Sequence, residues 1–244
     1  MAKKTTKKIS SKKASLKSAN QAKPVETEGR EIALSVKDIL DNVRPTPMIQ
    51  NGLSNDQKIE IISEKFTEIL ETLGLDLNDD SLTNTPRRIA KMYVNEVFSG
   101  LDSKKFPKMT VIENKMHYDQ MIVVQKISCL SFCEHHFLPI DGYATVAYIP
   151  NKKVVGLSKI NRVVQFFSRR PQVQERLTKQ IADCLQYVLG TEHVAVHISA
   201  KHYCVIMRGI EDTASLTSTA DLRGHFKTKV ETREEFLQHC RTRG

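Results

Sequence analysis

Residues 194–207, VAVHISAKHYCVIM, form a long β-rich run that decides the fold class of this chain. Side chains alternate across a strand, so one face of the run begins with aliphatic residues and then carries His202, Cys204 and Arg208. On one continuous strand, His202 and Cys204 would lie about 6.6 Å apart, and Arg208 about 13 Å beyond Cys204. We therefore predict a strand over the whole run, with core-facing side chains at its start and candidate functional side chains at its end.

The rest of the chain separates helical segments from β-rich ones. Alternating β-branched residues predict strands at Met121–Ser128, Tyr143–Ile149 and, more weakly, Val154–Val155. Apolar residues at three-to-four spacing predict four helices. They run from about Asp56 to Gly74, from an N-cap at Thr85 to Gly100, from an N-cap at Ser158 through Phe167, and from beyond Pro171 to Gly190. Because helices and strands are segregated rather than alternating, the pattern predicts an α+β fold with a mainly antiparallel sheet.

The net charge of +9 comes from a lysine-rich N-terminal segment. Residues 1–23 hold eight lysines and no acidic residue, which leaves +1 for residues 24–244. The segment lacks the apolar stretch of a secretory signal, and no run of about 18 apolar residues is present to form a membrane-spanning helix. We expect a disordered, solvated arm, with a specific address or a nucleic-acid tether as the alternative.

The length of 244 residues fits one large domain or two small ones. We divide the chain into a disordered Lys-rich arm at residues 1–30, a linker at 31–54, an N-terminal helical part at 55–110 and a catalytic domain at 111–244. The five cysteines are an odd number, which argues against a disulfide scaffold. We expect reduced thiols or metal ligands in a cytoplasmic protein.

The segment Cys133-Glu134-His135-His136 concentrates zinc-type ligands in four residues. Alone it is a weak signal, because a cysteine often packs as a small hydrophobic residue. Together with Cys204, the residues Cys133 and His136 give three ligands and leave a fourth position for water, which is the pattern of catalytic zinc. Two further histidines lie beside these ligands and are candidates for proton transfer: His135 and His202.

Residues 156–162, GLSKINR, predict the start of a helix with Ser158 as its N-cap. Lys159 and Arg162 lie on neighbouring positions of its surface, and a helix start with two cations can bind an anion. An ordinary solvated helix face explains the same residues, and Arg88 on the earlier helix is equally ambiguous.

The pair Gln174 and Glu175 carries a weaker signal, because both are ordinary helix residues until a substrate is proposed. A carboxylate beside an amide can bind the N1–H and the exocyclic amine of guanine. Adenine would leave those groups unpaired, which is a large penalty in a buried site.

Three separated motifs, in the right order, resemble the GTP cyclohydrolase I family and most of all its bacterial members. They are Cys133-Glu134-His135-His136, the run from Gly156 to Leu177, and His202-Tyr203-Cys204 with Arg208-Gly209. The resemblance covers roughly residues 55–240 and does not include the lysine-rich arm.

The resemblance implies the tunnelling fold, in which each subunit has a four-stranded antiparallel sheet and two helices after an N-terminal helical part. It implies a decamer of two pentamers with active sites at subunit interfaces. It also implies the conversion of GTP and water into formate and 7,8-dihydroneopterin triphosphate, the first step of folate or tetrahydrobiopterin synthesis.

Carried over residue by residue, the resemblance implies a role for each candidate. The ligands of Zn²⁺ are Cys133, His136 and Cys204, and the catalytic residues are His135, His202 and Ser158. The substrate is bound by Gln174 and Glu175 at the guanine edge and by Lys159, Arg162, Arg208 and Arg88 at the triphosphate, where several cations meet the charge of the substrate.

Two other functions stay open. One is a zinc-stabilised module whose basic arm binds nucleic acid, and apart from this arm we expect neither nucleic acid nor membrane as a partner. The other is a different pterin or deazapurine enzyme of the tunnelling fold, from which the Cys-His-Cys set separates the leading hypothesis. Cys129, four residues before Cys133, is a competing thiol ligand, although packing is its favoured role.

Overall fold

The computed structural model of the chain describes residues 32–241. The predicted disordered arm at residues 1–30 lies outside the described residues. No helix among residues 32–241 is both long enough and apolar enough to cross a bilayer.

The described part begins with short elements and two longer helices. These are β1 (Ile32–Ala33), α1 (Val36–Asp41), α2 (Asn55–Thr72) and α3 (Thr85–Met92), which continues as a π-helical turn at Tyr93–Val97 and 3₁₀ turns at Ser99–Leu101 and Ser103–Lys105.

Most strands come after the N-terminal helices. The elements there are β2 (Thr110–Glu113), β3 (Ile122–Cys133), β4 (Pro139–Tyr148), β5 (Lys153–Val155), α4 (Leu157–Ser168), β6 (Pro171–Gln172), α5 (Gln174–Leu189), β7 (Val194–His202), α6 (Tyr203–Ile206), β8 (Thr217–Leu222), α7 (His225–Thr228) and α8 (Val230–Arg241).

The central sheet has the strand order β6-β3-β4-β7-β8. Its four main strands, β3, β4, β7 and β8, are all antiparallel, and the two-residue β6 adds a short parallel edge to β3. A second, small sheet of order β1-β2-β5 lies apart from it. The α+β class and the four-stranded antiparallel sheet are therefore confirmed.

Helices α4 and α5 bury the expected apolar stripes in the main core with β3, β4 and β7. The stripe residues of both helices are fully buried: Ile160, Val163, Val164, Phe167, Leu177, Ile181, Leu185 and Val188. Gly190 ends α5 in the left-handed conformation (φ 62°), as a glycine at this position predicts. The two-helix, one-sheet unit follows directly from this periodicity.

The C-terminal helices form a second, smaller core, which the sequence patterns do not predict. Phe226 of α7 and Phe236 of α8 are fully buried with Ala147 and Ala195 of the sheet, and the two rings lie 5.5 Å apart. The sheet thus carries helices beyond the α4–α5 pair.

The prediction of one strand over residues 194–207 is wrong beyond His202. The last pair of the β4–β7 ladder joins Ile140 to His202. The next partner would be Pro139, which has no N–H to donate, so the ladder ends there and the chain turns into α6. Cys204 and Arg208 therefore do not share a strand face with His202.

Two predicted N-caps are also wrong by one or two residues. The first helical hydrogen bonds use the carbonyls of Asn84 and Gly156, which makes these residues the N-caps of α3 and α4. Thr85 and Ser158 consequently lie inside the first turns of their helices.

The stretch predicted as a linker, residues 31–54, contains β1 and α1. Ile39 of α1 is fully buried in the main core. The Arg44 amide donates to Asp183 of α5, and Thr46 accepts hydrogen bonds from Arg170 and Gln180. This stretch is therefore attached to the face of α5.

Candidate active site

Three ligand-type side chains meet where β3 ends and α6 begins. The ligand atoms of Cys133, His136 and Cys204 all lie within 4.8 Å of one another. No other three His, Cys, Asp or Glu side chains form such a group within residues 32–241. The sequence expectation that these residues converge agrees with this geometry.

A tight loop at the β3–β4 turn and the neighbouring strand β7 create this convergence. The Cys133 amide donates to the Leu138 carbonyl and the Phe137 amide to the Cys133 carbonyl, each at 2.8 Å. Ile140 of β4 pairs with His202 of β7, so the chain that follows His202 emerges beside the loop. Cys204 thus reaches the group from α6 rather than from a strand face.

The electrostatics of the two thiols favour a bound cation. Burial first, and then the hydrogen bond and charge of Cys133, raise the pKa of Cys204. The neighbouring Cys133 therefore opposes ionisation of Cys204, and a divalent cation would remove that opposition. Two thiols and one imidazole within this distance fit Zn²⁺ by ligand type and number.

Two histidines lie close to the ligands. The His135 Nδ1 atom is 3.6 Å from the Cys133 sulfur, and its ring is exposed. The His202 Nε2 atom is 2.7 Å from the Gln174 Oε1 atom. Burial lowers the pKa of His202, and the charge of Glu175 opposes that shift. His135 thus lies beside a ligand sulfur, and His202, two residues before Cys204, faces Gln174.

The side chain of Gln174, expected at the guanine edge, is hydrogen-bonded to other groups of the protein. Its side chain is only 1% exposed. Its amide nitrogen donates to the carbonyls of Ile198 and Thr217 and to the Thr219 hydroxyl, at 3.0–3.1 Å. With its oxygen facing His202, the amide is already fully hydrogen-bonded inside the protein.

Glu175, the next residue, is exposed in the first turn of α5. It lines an open cavity of about 680 Å³ together with Arg44, Thr46, Arg176 and Lys179. Glu175 is therefore free to meet a ligand, in contrast to its neighbour.

The expected cations are only partly gathered around the group. The Arg208 Nη1 atom is 3.0 Å from the His136 Nε2 atom. The other candidates lie on α4 and α3, and within residues 32–241 their side chains make no hydrogen bond or ion pair: Ser158, Lys159, Arg162 and Arg88. A single chain thus leaves these groups unpaired at its surface.

An ion pair that the sequence patterns do not predict holds the ligand loop. Glu134, between Cys133 and His135, pairs with Arg176, and both side chains are largely buried. The Arg176 Nε atom also donates to the Gln172 side chain, and the Glu134 amide donates to the Gln172 carbonyl. The sequence could have pointed to Glu134, because this residue lies inside the ligand motif. It could not have pointed to the partner, which lies 42 residues away in the chain.

Phe137 adds a second unpredicted support. Its backbone is left-handed (φ 53°), which is uncommon for a residue with a large side chain. Its ring packs at 5.1 Å against Phe98 and at 6.2 Å against Tyr93, so the N-terminal helical part contacts the ligand loop.

The fold and the site define an α+β protein with a Cys-His-Cys group able to bind a metal. The model of the family described as GTP cyclohydrolase I matches residues 62–241. The chain belongs to the GTP cyclohydrolase I family, and its sheet with α4 and α5 is the tunnelling fold of that family.

Similar curated proteins have the same description. The chain is 62% identical to GTP cyclohydrolase 1 of Aeromonas salmonicida over 192 residues, which cover 79% of this chain and 88% of that protein. It is 61% identical to GTP cyclohydrolase 1 of Erwinia tasmaniensis over 191 residues, 78% of this chain and 86% of that protein. It is 55% identical to the protein of that description from Edwardsiella ictaluri over 212 residues, 87% and 96% of the two chains.

Proposed function

We propose that this chain converts GTP and water into formate and 7,8-dihydroneopterin triphosphate. The observation that carries the proposal is the meeting of Cys133, His136 and Cys204 within 4.8 Å in a member of the GTP cyclohydrolase I family. The alternative hypothesis, a different enzyme of the same fold that lacks this ligand set, would leave the meeting of the two thiols unexplained.

The three residues would hold Zn²⁺. When bound, such an ion acts as a Lewis acid and lowers the pKa of a water molecule to about 7. The chain contributes the ligands from two separate segments and, through Glu134 and Arg176, a fixed orientation of the loop between them.

Proton transfer at the purine ring is proposed for His202 and His135. His202 is held by Gln174 at the end of β7 and would give a proton to the purine nitrogen. His135 is exposed beside Cys133 and would move a proton during ring opening and loss of formate. Ser158, exposed in the first turn of α4, would act in the later opening of the ribose.

Substrate binding would use Glu175 and four basic side chains, of which Arg88, Lys159 and Arg162 have no side-chain hydrogen bond or ion pair within residues 32–241. Glu175 would accept hydrogen bonds from the N1–H and the amine of guanine. The triphosphate would be bound by Lys159, Arg162, Arg208 and Arg88. Membership of the GTP cyclohydrolase I family supports an active site completed between subunits of a decamer of two pentamers. Light scattering should then give about tenfold the 27.7 kDa of one chain.

All five cysteines are free thiols, although five is enough for two disulfides. Free thiols suit a reducing compartment, which supports a cytoplasmic enzyme.

The direct test is to incubate the zinc-loaded protein with GTP and to follow formate and the fluorescence of the oxidised pterin. We expect both products from GTP and neither from ATP. Adenine has no hydrogen on N1 and no amino group on C2, and these are the two groups of guanine that Glu175 would bind. A zinc-loaded decamer that releases neither product from GTP would contradict the proposal.

A further inference from the structure

The Gln174 amide connects three elements around His202. Gln174 is the first residue of α5, and its nitrogen donates to the Ile198 carbonyl of β7 and the Thr217 carbonyl of β8. Its oxygen lies 2.7 Å from His202 Nε2. None of these partners is a substrate, and the side chain is 1% exposed.

The partners fix which way the amide points. A backbone carbonyl can only accept hydrogen bonds, so the atom of Gln174 that faces Ile198 and Thr217 must be the nitrogen. The atom that faces His202 is then the oxygen, which can only accept. His202 must therefore carry its hydrogen on Nε2, and in the neutral ring the lone pair is on Nδ1.

We propose that Gln174 is a positioning residue that holds His202 in one ring orientation with a hydrogen on Nε2, so that the doubly protonated ring gives its Nδ1 proton to the substrate and becomes the neutral Nε2–H tautomer. The inference rests on the proposed function and assigns to Gln174 a role other than guanine binding. It resembles the way a hydrogen-bonded partner fixes the tautomer of a catalytic imidazole in hydrolases.

A contact between Gln174 and guanine would conflict with this network. Both amide hydrogens are already donated to protein acceptors. Turning the amide toward a substrate would break its hydrogen bonds to Ile198, Thr217 and Thr219 inside the protein. Glu175 is exposed and needs no such rearrangement.

Neighbouring threonines hold the network in place. The Thr178 hydroxyl donates to the Gln174 carbonyl at 2.8 Å and lies 2.7 Å from the Thr219 hydroxyl. Because Thr219 also accepts from the Gln174 amide, the backbone and the side chain of Gln174 are both tied to β8. The orientation of His202 therefore depends on the α5–β8 contact.

The first test compares Gln174→Met with a matched control, Gln180→Met. Gln180 lies on the same helix, is fully buried, and bonds to Gln172, Arg44 and Thr46 but not to His202. We expect Gln174→Met to lower kcat roughly 10- to 100-fold, with the KM for GTP changed less than about twofold. The ratio of kcat/KM for GTP to that for inosine triphosphate, which lacks the exocyclic amine, should stay the same.

The second test repeats Gln174→Met in a His202→Ala background. If Gln174 acts through His202, the additional loss of kcat should be less than about twofold. The inference would be overturned if the losses of kcat caused by Gln174→Met and His202→Ala multiplied in the double variant. It would also be overturned if Gln174→Met raised the KM for GTP with unchanged kcat, or removed the preference for GTP over inosine triphosphate. An equal loss of kcat in Gln180→Met would overturn it as well. A wild-type protein without formate release would instead contradict the proposed function.

A third measurement does not depend on whether a Gln174 variant folds. Nitrogen NMR of the histidine-labelled protein, with the His202 signals identified by their loss in His202→Ala, reports which ring nitrogen carries the hydrogen. We expect the Nε2–H form when the ring is neutral, and signals of the Nδ1–H form would refute the inference.

Discussion

Of the five cysteines, Cys133 and Cys204 lie close enough together to bind one metal ion. Cys129 and Cys184 are fully buried, and burial raises the pKa of both thiols. The Cys129 sulfur lies 3.3 Å from the Ser168 hydroxyl under α4, so this residue packs in the core, as favoured from the sequence. Cys204 is only partly buried and lies beside Cys133, where a cation can reach both sulfurs.

The ligand and proton-transfer roles should separate in single substitutions. Cys204→Ser should lose zinc and turnover together, because it removes one of the three proposed ligands. His202→Ala should keep zinc and lose at least about 100-fold in kcat. Elemental analysis and the formate assay measure both effects.

Cys240→Ser is the matched control, since Cys240 is half-buried on α8 and packs in the C-terminal core. It should keep both zinc and turnover. If His202→Ala lost zinc as readily as Cys204→Ser, the assignment of ligand and acid would be wrong.

The Glu134–Arg176 pair should matter more than an exposed ion pair. Glu134→Gln leaves the Arg176 charge largely buried without its partner, and we expect the thermal midpoint of unfolding to fall by about 3 °C or more. Glu60→Gln removes the exposed partner of Arg87 and should change the midpoint by less than about 2 °C. Equal shifts in calorimetry would show that burial does not strengthen the first pair.

At the level of elements, sequence periodicity predicts the long amphipathic helices best. Residues from Leu177 to Val188 give α5 a continuous apolar stripe, and Gly190 marks its end. The edge strand β8 has the sequence TSTADL, whose polar side chains carry no clear alternation. It is a strand because its backbone pairs with β7, and a contact of that range is not visible in local sequence.

The C-terminal helices are joined to the sheet by a histidine pair. The rings of His193 and His225 stack at 3.8 Å, and the His225 amide donates to His193 Nδ1 at 3.2 Å. The pKa of His193 is lowered below its usual 6.5, mainly by burial and then by the charges of His225 and Lys229. The charge of Glu192 opposes this shift. The folded chain thus favours the neutral ring.

This lowered pKa predicts lower stability in mild acid. As the pH falls below about 6.5, His193 becomes protonated in the unfolded chain but not yet in the folded chain. The free energy of unfolding therefore decreases with decreasing pH until the pKa of the folded state is reached. The thermal midpoint should drop between pH 7.5 and pH 5.5, and His193→Asn should reduce that drop. The remaining dependence belongs to His197 and His202, whose pKa values burial also lowers.

A matched control is His117→Asn, at an exposed position with a left-handed backbone that asparagine tolerates. It should leave the pH dependence as in the wild type. If His193→Asn also left it unchanged, the histidine pair would not control the attachment of α7.

At the scale of the whole molecule, the net charge divides into a basic arm and a nearly neutral body. Truncation of residues 1–23 removes eight positive charges and none of the described elements. We expect formate release to stay within about twofold of the full chain, while any salt-sensitive binding of DNA is lost. A truncated protein without turnover would assign the arm a part in catalysis.

The metal group could be predicted from sequence because its residue types are rare and chemically specific. The partners of Gln174 and Glu134 could not, because each depends on contacts between elements distant in the chain. Arg88, Lys159 and Arg162 illustrate a further limit: among residues 32–241 their side chains have no hydrogen-bond or ion-pair partner, so no contact in the described part of the chain indicates their role.

We propose that the Cys-His-Cys group is a catalytic zinc centre for GTP. This can be tested by the rate of formate release as zinc is titrated into the metal-free protein. We expect the rate to rise in proportion to bound zinc and to level off at one zinc per chain. Formate release that does not depend on zinc, or a fully loaded protein that releases none from GTP, would contradict the proposal.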